Sequence, residues 1–232
     1  MSTEGKCSQC MVKNRICRSK EGTGPAFCST LLYPEAIKKA AAEYDKPDIH
    51  KFAHNASLQE AECYIDRAAE PAYKYPVKPR VQEIIEFSRK MGYQKLGVAF
   101  CAGLHKEAAI FCKILEDHGF DVVSVVCKVG GVDKDAIGMA AHERVQIGKP
   151  ESMCNPISQA EVLNAAGTDF NILLGLCVGH DSLFIKYSQA MVTVFAVKDR
   201  AMGNNPLAPI YTYDSYCERF KQDRLKTLEV KN

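Results

Sequence analysis

The chain has 232 residues, of which 47% are hydrophobic and 25% are charged, the composition of an ordinary globular protein and not of a disordered or fibrous one. Thirty basic residues against 28 acidic ones leave a net charge of +2, too small for a broad surface that binds nucleic acid or an anionic membrane. Residues 1–6 are polar and do not resemble a signal peptide, and no apolar run approaches the roughly 20 residues of a membrane span, so we expect a cytoplasmic protein.

Cysteine is the informative residue type in this sequence. The chain contains 11 cysteines, an odd number, and they come without a secretory signal. In a reducing compartment such a set is not typical of a disulfide framework. Clustered thiols there indicate metal or redox chemistry instead.

Residues 1–32 are predicted to form a cysteine-rich metal-binding module. Four cysteines with the spacing C-x2-C-x6-C-x10-C can supply a four-thiolate site: Cys7, Cys10, Cys17 and Cys28. The segment has too few apolar residues to fold without a metal. Zinc sites favour two C-x2-C pairs, whereas iron–sulfur sites accept varied spacing around one pair, so we favour a 4Fe-4S cluster and keep zinc as the alternative. Three nearby cations could offset the charge of such a centre, or could simply be solvated: Lys13, Arg15 and Arg18.

Residues 33–75 are predicted to form a helical segment. Pro34 suits the first position of a helix over 35–44. Asp48 can cap a second helix that runs to about Ala69. We expect this segment to separate the cysteine-rich module from the rest of the chain.

Residues 76–232 show the alternation of an α/β domain. Continuous apolar runs predict four buried strands, over 96–101, 121–127, 170–177 and 192–197. Helical patterns separate these runs, ending at Gly92 and Gly119 or spanning 158–166 and 181–189. The pattern predicts a doubly wound, mostly parallel sheet of the Rossmann or flavodoxin-like type with the strand order 2-1-3-4. The aromatic tail, 198–232, could wrap the sheet or form a homodimer contact.

Three of the four predicted strands end in cysteine: Cys101, Cys127 and Cys177. In an open α/β sheet, ligands bind outside the carboxyl ends of the strands. We therefore expect these thiols to share one centre, with Cys154 as a fourth ligand if the long segment 128–156 folds over it. His180 follows Cys177 closely and is either the partner of a Cys–His nucleophile pair or, as we favour, a supporting donor at the start of a helix.

Other residues of interest have ordinary structural interpretations. Burial in the core explains three further cysteines: Cys63, Cys112 and Cys217. His50 and His54 lie one helical turn apart without an H-E-x-x-H pattern, so we interpret them as surface residues. The Gly130-Gly131 pair lacks the spacing of a phosphate-binding loop.

Several motifs resemble a prokaryotic family of unknown function that is common in anaerobes and whose members are usually labelled only as metal-binding proteins. These motifs are the N-terminal C-x2-C, the segment Val98–Leu104, Cys127-Lys128, Met153–Pro156, G-L-C-V-G-H-D-S-L-F over 175–184, and the stretch 197–206. The resemblance implies metal binding through the matching cysteines. It supplies no reaction, and the choice of iron–sulfur is our own inference.

The sequence thus predicts a cysteine-ligated metalloprotein with up to two centres. One role is electron transfer with a redox partner protein. Another is redox or sulfur chemistry by an enzyme, which needs an open coordination position. The contrasting hypothesis is a zinc-stabilised binding or sensor protein without redox chemistry.

Overall fold

A computed structural model describes residues 4–68 and 74–221. The chain forms two compact units that divide between Val77 and Lys78. The predicted cysteine-rich module and helical segment lie in the first unit. Within the two described ranges, no helix is long and apolar enough to cross a bilayer.

The first unit consists of short helices and one small strand pair. Its helices are α1 (Ser29–Leu32), α2 (Pro34–Glu43) and α3 (Pro47–Glu62), and its strands are β1 (Tyr64–Ile65) and β2 (Tyr75–Pro76). Pro34 occupies the first turn of α2, the position its fixed φ angle favours.

The second helix of this unit differs from its prediction at both ends. Lys46, not Asp48, is the N-cap residue of α3, and the helix has no side-chain cap. Asp48 lies inside the first turn, where its charge favours the positive helix end. The helix ends at Glu62 because β1 follows and pairs antiparallel with β2. Ala69, the predicted end, lies outside the described residues.

The second unit is an α/β domain built on a four-stranded sheet. Its elements in chain order are α4 (Arg80–Met91), β3 (Lys95–Phe100), α5 (His105–Asp117), β4 (Asp121–Val126), α6 (Pro156–Ala166), β5 (Phe170–Leu176), α7 (His180–Tyr187), β6 (Met191–Val197) and α8 (Ala208–Tyr211). The strands are parallel in the order β4-β3-β5-β6. The predicted order 2-1-3-4 is therefore confirmed.

Helices cover both faces of this sheet. On one face Ala99 and Leu173 pack in a core with residues of α6 and α7, including the fully buried Phe184. On the other face Phe100 and Leu174 pack with residues of α5. Neighbouring residues of a strand point to opposite faces, so the two cores establish the doubly wound architecture.

Helix-ending and helix-capping residues determine where several helices of this unit begin and end. Gly92 ends α4 with a φ of 81°, a conformation that glycine adopts without strain. Asn155 caps α6 through its side chain, which accepts a hydrogen bond from the Ser158 amide. Residues 198–221 of the predicted tail are described and contain α8, whereas 222–232 lie outside the described residues.

Candidate functional site

Three cysteines follow the carboxyl ends of neighbouring strands. Cys101 follows β3, Cys127 follows β4 and Cys177 follows β5. The Cys101 amide donates to the Leu174 carbonyl (3.1 Å) and the Cys127 amide to the Phe100 carbonyl (2.8 Å), so both residues continue the pairing of the strands. Because the strands are parallel, the three residues reach the same edge of the sheet.

One cavity of about 730 Å³ brings these cysteines together with Cys154 and His180. Cys127 is buried and the other three cysteines are partly exposed. The three strand-end cysteines thus lie around one cavity, in the arrangement that their positions at the strand ends predict. The cavity thus contains four thiols from four separate segments, and we call it the sheet-edge cavity.

Cys154 reaches the cavity through the connection between β4 and α6. The Asn155 amide donates to the Cys127 carbonyl (2.7 Å), and the Met153 amide donates to the Val132 carbonyl (2.8 Å). Asn155 also caps α6 through its side chain. This residue is therefore held both by the start of the helix and by its backbone hydrogen bond to Cys127. This anchoring brings Cys154 beside Cys127.

The thiols of Cys127 and Cys154 form a hydrogen-bonded pair with opposite pKa shifts. The bond to Cys154, together with burial, raises the pKa of Cys127. The same bond lowers the pKa of Cys154, and the neighbouring Lys128 and His180 add to that effect. The pair and its surroundings therefore favour a thiolate at this part of the cavity.

Further hydrogen-bond donors lie at two of the four thiols, Cys127 and Cys177. The Ala102 amide donates to Cys127 Sγ (3.3 Å), and Arg200 Nη2 donates to Cys177 Sγ (3.1 Å). The hydrogen bond to Cys177 and the charge of that thiolate raise the pKa of Arg200. Such surroundings stabilise thiolates, the form that acts as a metal ligand or nucleophile.

His180 is the first residue of α7, and its amide donates to the Cys177 carbonyl (3.0 Å). Its Nδ1 atom is buried and has no hydrogen-bond partner within the described part of the chain. Buried polar atoms are normally paired, so this unpaired nitrogen is unusual. The structure places His180 at the start of a helix, which is the position favoured from the sequence.

Gly175 shapes the strand that carries Cys177. The pairing of β5 with β6 shifts register between Leu174 and Leu176, and Gly175 has a φ of 72°. A Cβ atom at this position would lie 2.2 Å from Cδ1 of Leu104. Bulges of this kind redirect side chains near functional sites, and here the irregularity lies two residues before Cys177.

Gln159 supports the site and was missed by the sequence analysis. Its fully buried side chain donates to the carbonyls of Phe100 (3.2 Å) and Val125 (2.7 Å). It thereby ties α6 to the last residue of β3 and the second-last residue of β4, close to Cys101 and Cys127. A glutamine on the buried side of α6 indicates a buried hydrogen bond, but the residues that accept from it are distant in sequence.

The segment between β4 and α6 forms one wall of the sheet-edge cavity. A bridge joins Asp133 to Ser152, and Lys134 forms an ion pair with Glu151 (2.7 Å). These contacts hold the beginning and the end of the segment together. It presents four apolar side chains to the cavity: Ile137, Met139, Val145 and Met153.

The N-terminal cysteines share a second cavity, of about 150 Å³, which we call the N-terminal cavity. All four line it: Cys7, Cys10, Cys17 and Cys28. The Cys10 amide donates to the Cys7 carbonyl (3.1 Å), as expected for the tight turn of a C-x2-C pair. Of the three cations noted in the sequence, Arg15 lines this cavity.

Arg15 organises the loop around the N-terminal cavity. Its guanidinium donates to the carbonyls of Val12 (2.9 Å) and Cys10 (3.3 Å), and its backbone forms a bridge with Thr23. The Ile16 amide donates to the Thr23 carbonyl (3.0 Å). The contacts within this loop are thus polar, and they do not form an apolar core.

Neither thiol set is arranged like a site for a single ion. Among the described residues, no group of three or more His, Cys, Asp and Glu side chains is placed to hold one metal ion. Four of the remaining candidates lie where they are expected: Cys63 and Cys217 are buried, and His50 and His54 lie on the surface. Cys112 was expected in the core and is only partly buried.

The fold and site together define a doubly wound α/β protein with a cysteine-lined cavity at the carboxyl edge of its sheet. The chain belongs to the family described as "Protein of unknown function (DUF1847)", whose model matches residues 28–195. It is 44% identical over 207 residues to the "Uncharacterized protein MJ0455" of Methanocaldococcus jannaschii, covering 89% of this chain and 94% of that protein. No solved structure matches the chain.

Proposed function

We propose that this protein is a cysteine-ligated iron–sulfur protein with two 4Fe-4S centres, one in each cysteine-lined cavity. The observation that carries the proposal is the convergence of four thiols, from four separate segments, on the sheet-edge cavity. Iron–sulfur clusters are held by cysteine thiolates. When bound, a cluster supplies one-electron redox chemistry.

The charges around the sheet-edge cavity support thiolate ligands. Lys128 lies beside Cys154, Arg200 donates to Cys177 and the Ala102 amide donates to Cys127. Each of these donors faces a sulfur that carries negative charge when it binds metal. Hydrogen bonds to the sulfurs and nearby charge also set the potential of such a centre.

The small interior of the first unit supports the proposal of a metal at the N-terminal cavity. Among its described side chains, only Cys28, Gln59 and Cys63 are buried. A segment with so small an apolar interior needs another source of folding free energy, which metal binding provides. Cys7, Cys10, Cys17 and Cys28 would hold that metal.

The spacing of the N-terminal cysteines favours a cluster over zinc. Zinc sites favour two C-x2-C pairs, whereas this set has one such pair, Cys7 and Cys10. Iron–sulfur sites accept varied spacing around one pair, and zinc at the N-terminal cysteines remains the alternative.

The position of Cys154 bears on the role of the sheet-edge centre. Cys154 lies beside Cys127 and completes a set of four thiols. Four protein ligands fill a 4Fe-4S centre, which supports electron transfer with a redox partner protein over chemistry at an open iron position. A homodimer remains part of the proposal.

Anaerobic purification followed by iron, zinc and acid-labile sulfide analysis tests the proposal. We expect brown protein that contains iron and sulfide, and we expect Cys101→Ser to remove roughly half of both. Cys112→Ser is the matched control, because Cys112 lies outside both cavities, and it should keep the full content. Colourless protein with zinc and no sulfide would establish the alternative and overturn the cluster.

A further inference from the structure

The sheet-edge cavity contains positive charge that its own carboxylates do not neutralise. Glu151 accepts from Lys134 (2.7 Å) and from the Val145 amide (2.9 Å). Asp199 accepts from the amides of Ala201 (3.1 Å) and Met202 (2.9 Å). Both carboxylates that line the cavity therefore have local partners.

Lys198 carries the clearest surplus charge. It follows β6, lines the cavity, and within the described ranges its ammonium has no hydrogen-bond or ion-pair partner. Lys128, by contrast, donates to the neutral Ser152 carbonyl, and Arg200 donates to Cys177. A cation with no counter-ion in a concave site attracts an anion.

Gly103 leaves room beside this ammonium. A Cβ atom at position 103 would lie 3.8 Å from Nζ of Lys198 and 3.9 Å from Sγ of Cys101. An atom of a bound molecule in that space would contact the cation and the thiol position together. Because Gly103 has no side chain, a space remains between the Lys198 ammonium and the Cys101 sulfur, and we call this space the cradle.

The wall formed by the segment between β4 and α6 is apolar and accessible. Ile137 and Val145 line the cavity yet are 61% and 85% exposed, and Met139 and Met153 lie with them in that wall. Covering such side chains with an apolar group is favourable, by about 25 cal/mol per Å². The volume of about 730 Å³ is that of a small-molecule site.

We infer that the sheet-edge cavity binds a small organic anion. Its carboxylate lies between Lys198 and Gly103, and its apolar body packs against the wall formed by the segment between β4 and α6. The inference goes beyond the proposed function, because it names a class of small molecule that binds in the same cavity without a bond to the centre. The charge and the cradle are nevertheless properties of the chain's own residues.

Calorimetric titration of the full chain with matched carboxylate and amide probes tests the inference. We expect butyrate or benzoate to bind at least tenfold more tightly than butyramide or benzamide, because a charged hydrogen bond contributes about 1.5–3 kcal/mol. Lys198→Met should abolish this preference, and Gly103→Ala should weaken carboxylate binding by filling the cradle. Lys113→Met removes an equal charge from an exposed helix position and should change nothing.

Three results would overturn the inference: no carboxylate binds more tightly than its amide, Lys113→Met matches Lys198→Met, or inorganic phosphate binds as well as benzoate. Iron and sulfide analysis of the same samples separates the two proposals. Clusters without carboxylate preference refute the inference alone. Carboxylate preference that depends on Lys198, in protein without iron, refutes the proposed clusters alone. Thermal unfolding of each variant verifies that it is folded.

Discussion

At the scale of single residues, the sheet-edge cavity depends on groups that position thiols as much as on the thiols themselves. Gln159 ties α6 to the strand ends that precede Cys101 and Cys127. Asn155 anchors the backbone beside Cys154. None of these contacts involves a sulfur, yet each restricts where a sulfur can lie.

Gly175→Ala tests the importance of the irregular turn in β5. A Cβ there would lie 2.2 Å from Leu104 and would also strain a positive φ of 72°. Gly119 has a φ of 90° with no atom within 4 Å of its added Cβ, so Gly119→Ala measures the strain alone. We expect Gly175→Ala to lower the free energy of unfolding by about 1–3 kcal/mol more than Gly119→Ala, measured by urea denaturation. Equal losses would show that Leu104 moves aside freely.

At the scale of elements, the sequence was most informative where apolar residues run continuously. Long apolar runs predicted all four strands of the parallel sheet, and the alternation with helices predicted their order. The cysteines could be placed at one sheet edge because parallel strands end together. That step required only the strand boundaries and the topology.

Elements set by weaker or distant interactions could not be predicted. The pairing of β1 with β2 involves two residues on each strand, too few for a recognisable pattern, so α3 was extended past its end. The bonds of Gln159 to Phe100 and Val125 join residues far apart in sequence. The proximity of Cys154 to Cys127 depends on the path of an irregular segment, which the sequence left open.

The cysteine-rich segment of the first unit should be ordered only around a metal. Chelation, or Cys7→Ser combined with Cys10→Ser, should make residues 4–32 sensitive to protease while residues 78–221 stay protected, because the segment has almost no buried apolar side chains. Limited proteolysis with mass spectrometry measures both regions. Cys63→Ser, in the same unit but outside the N-terminal cavity, is the control. Unchanged protection after verified metal removal would contradict the prediction.

At the scale of the whole molecule, the two thiol sets belong to separate compact units. The N-terminal set lies before Val77 and the sheet-edge set after Lys78. A C-x2-C turn closes its own site at little cost in loop entropy, whereas recruiting distant strand ends costs more. We therefore expect two independent centres and not one shared site.

Deleting residues 1–30 tests this independence. We expect the shortened chain to retain roughly half of the bound iron, because its four sheet-edge cysteines are untouched. Iron analysis and visible absorption measure the remaining centre, and thermal unfolding establishes that the α/β domain is folded. Loss of all iron from a folded domain would mean that the two sets build one shared site.

The dispersal of the sheet-edge cysteines along the chain also has a consequence during biosynthesis. Cys7 to Cys28 are translated before any strand of the parallel sheet, whereas the four sheet-edge cysteines are all present only once Cys177 has been added. At about 5–20 residues per second on the ribosome, several seconds separate these events. Under the proposed function, the first centre would take up metal on the nascent chain. The second would be loaded only after the fold has formed.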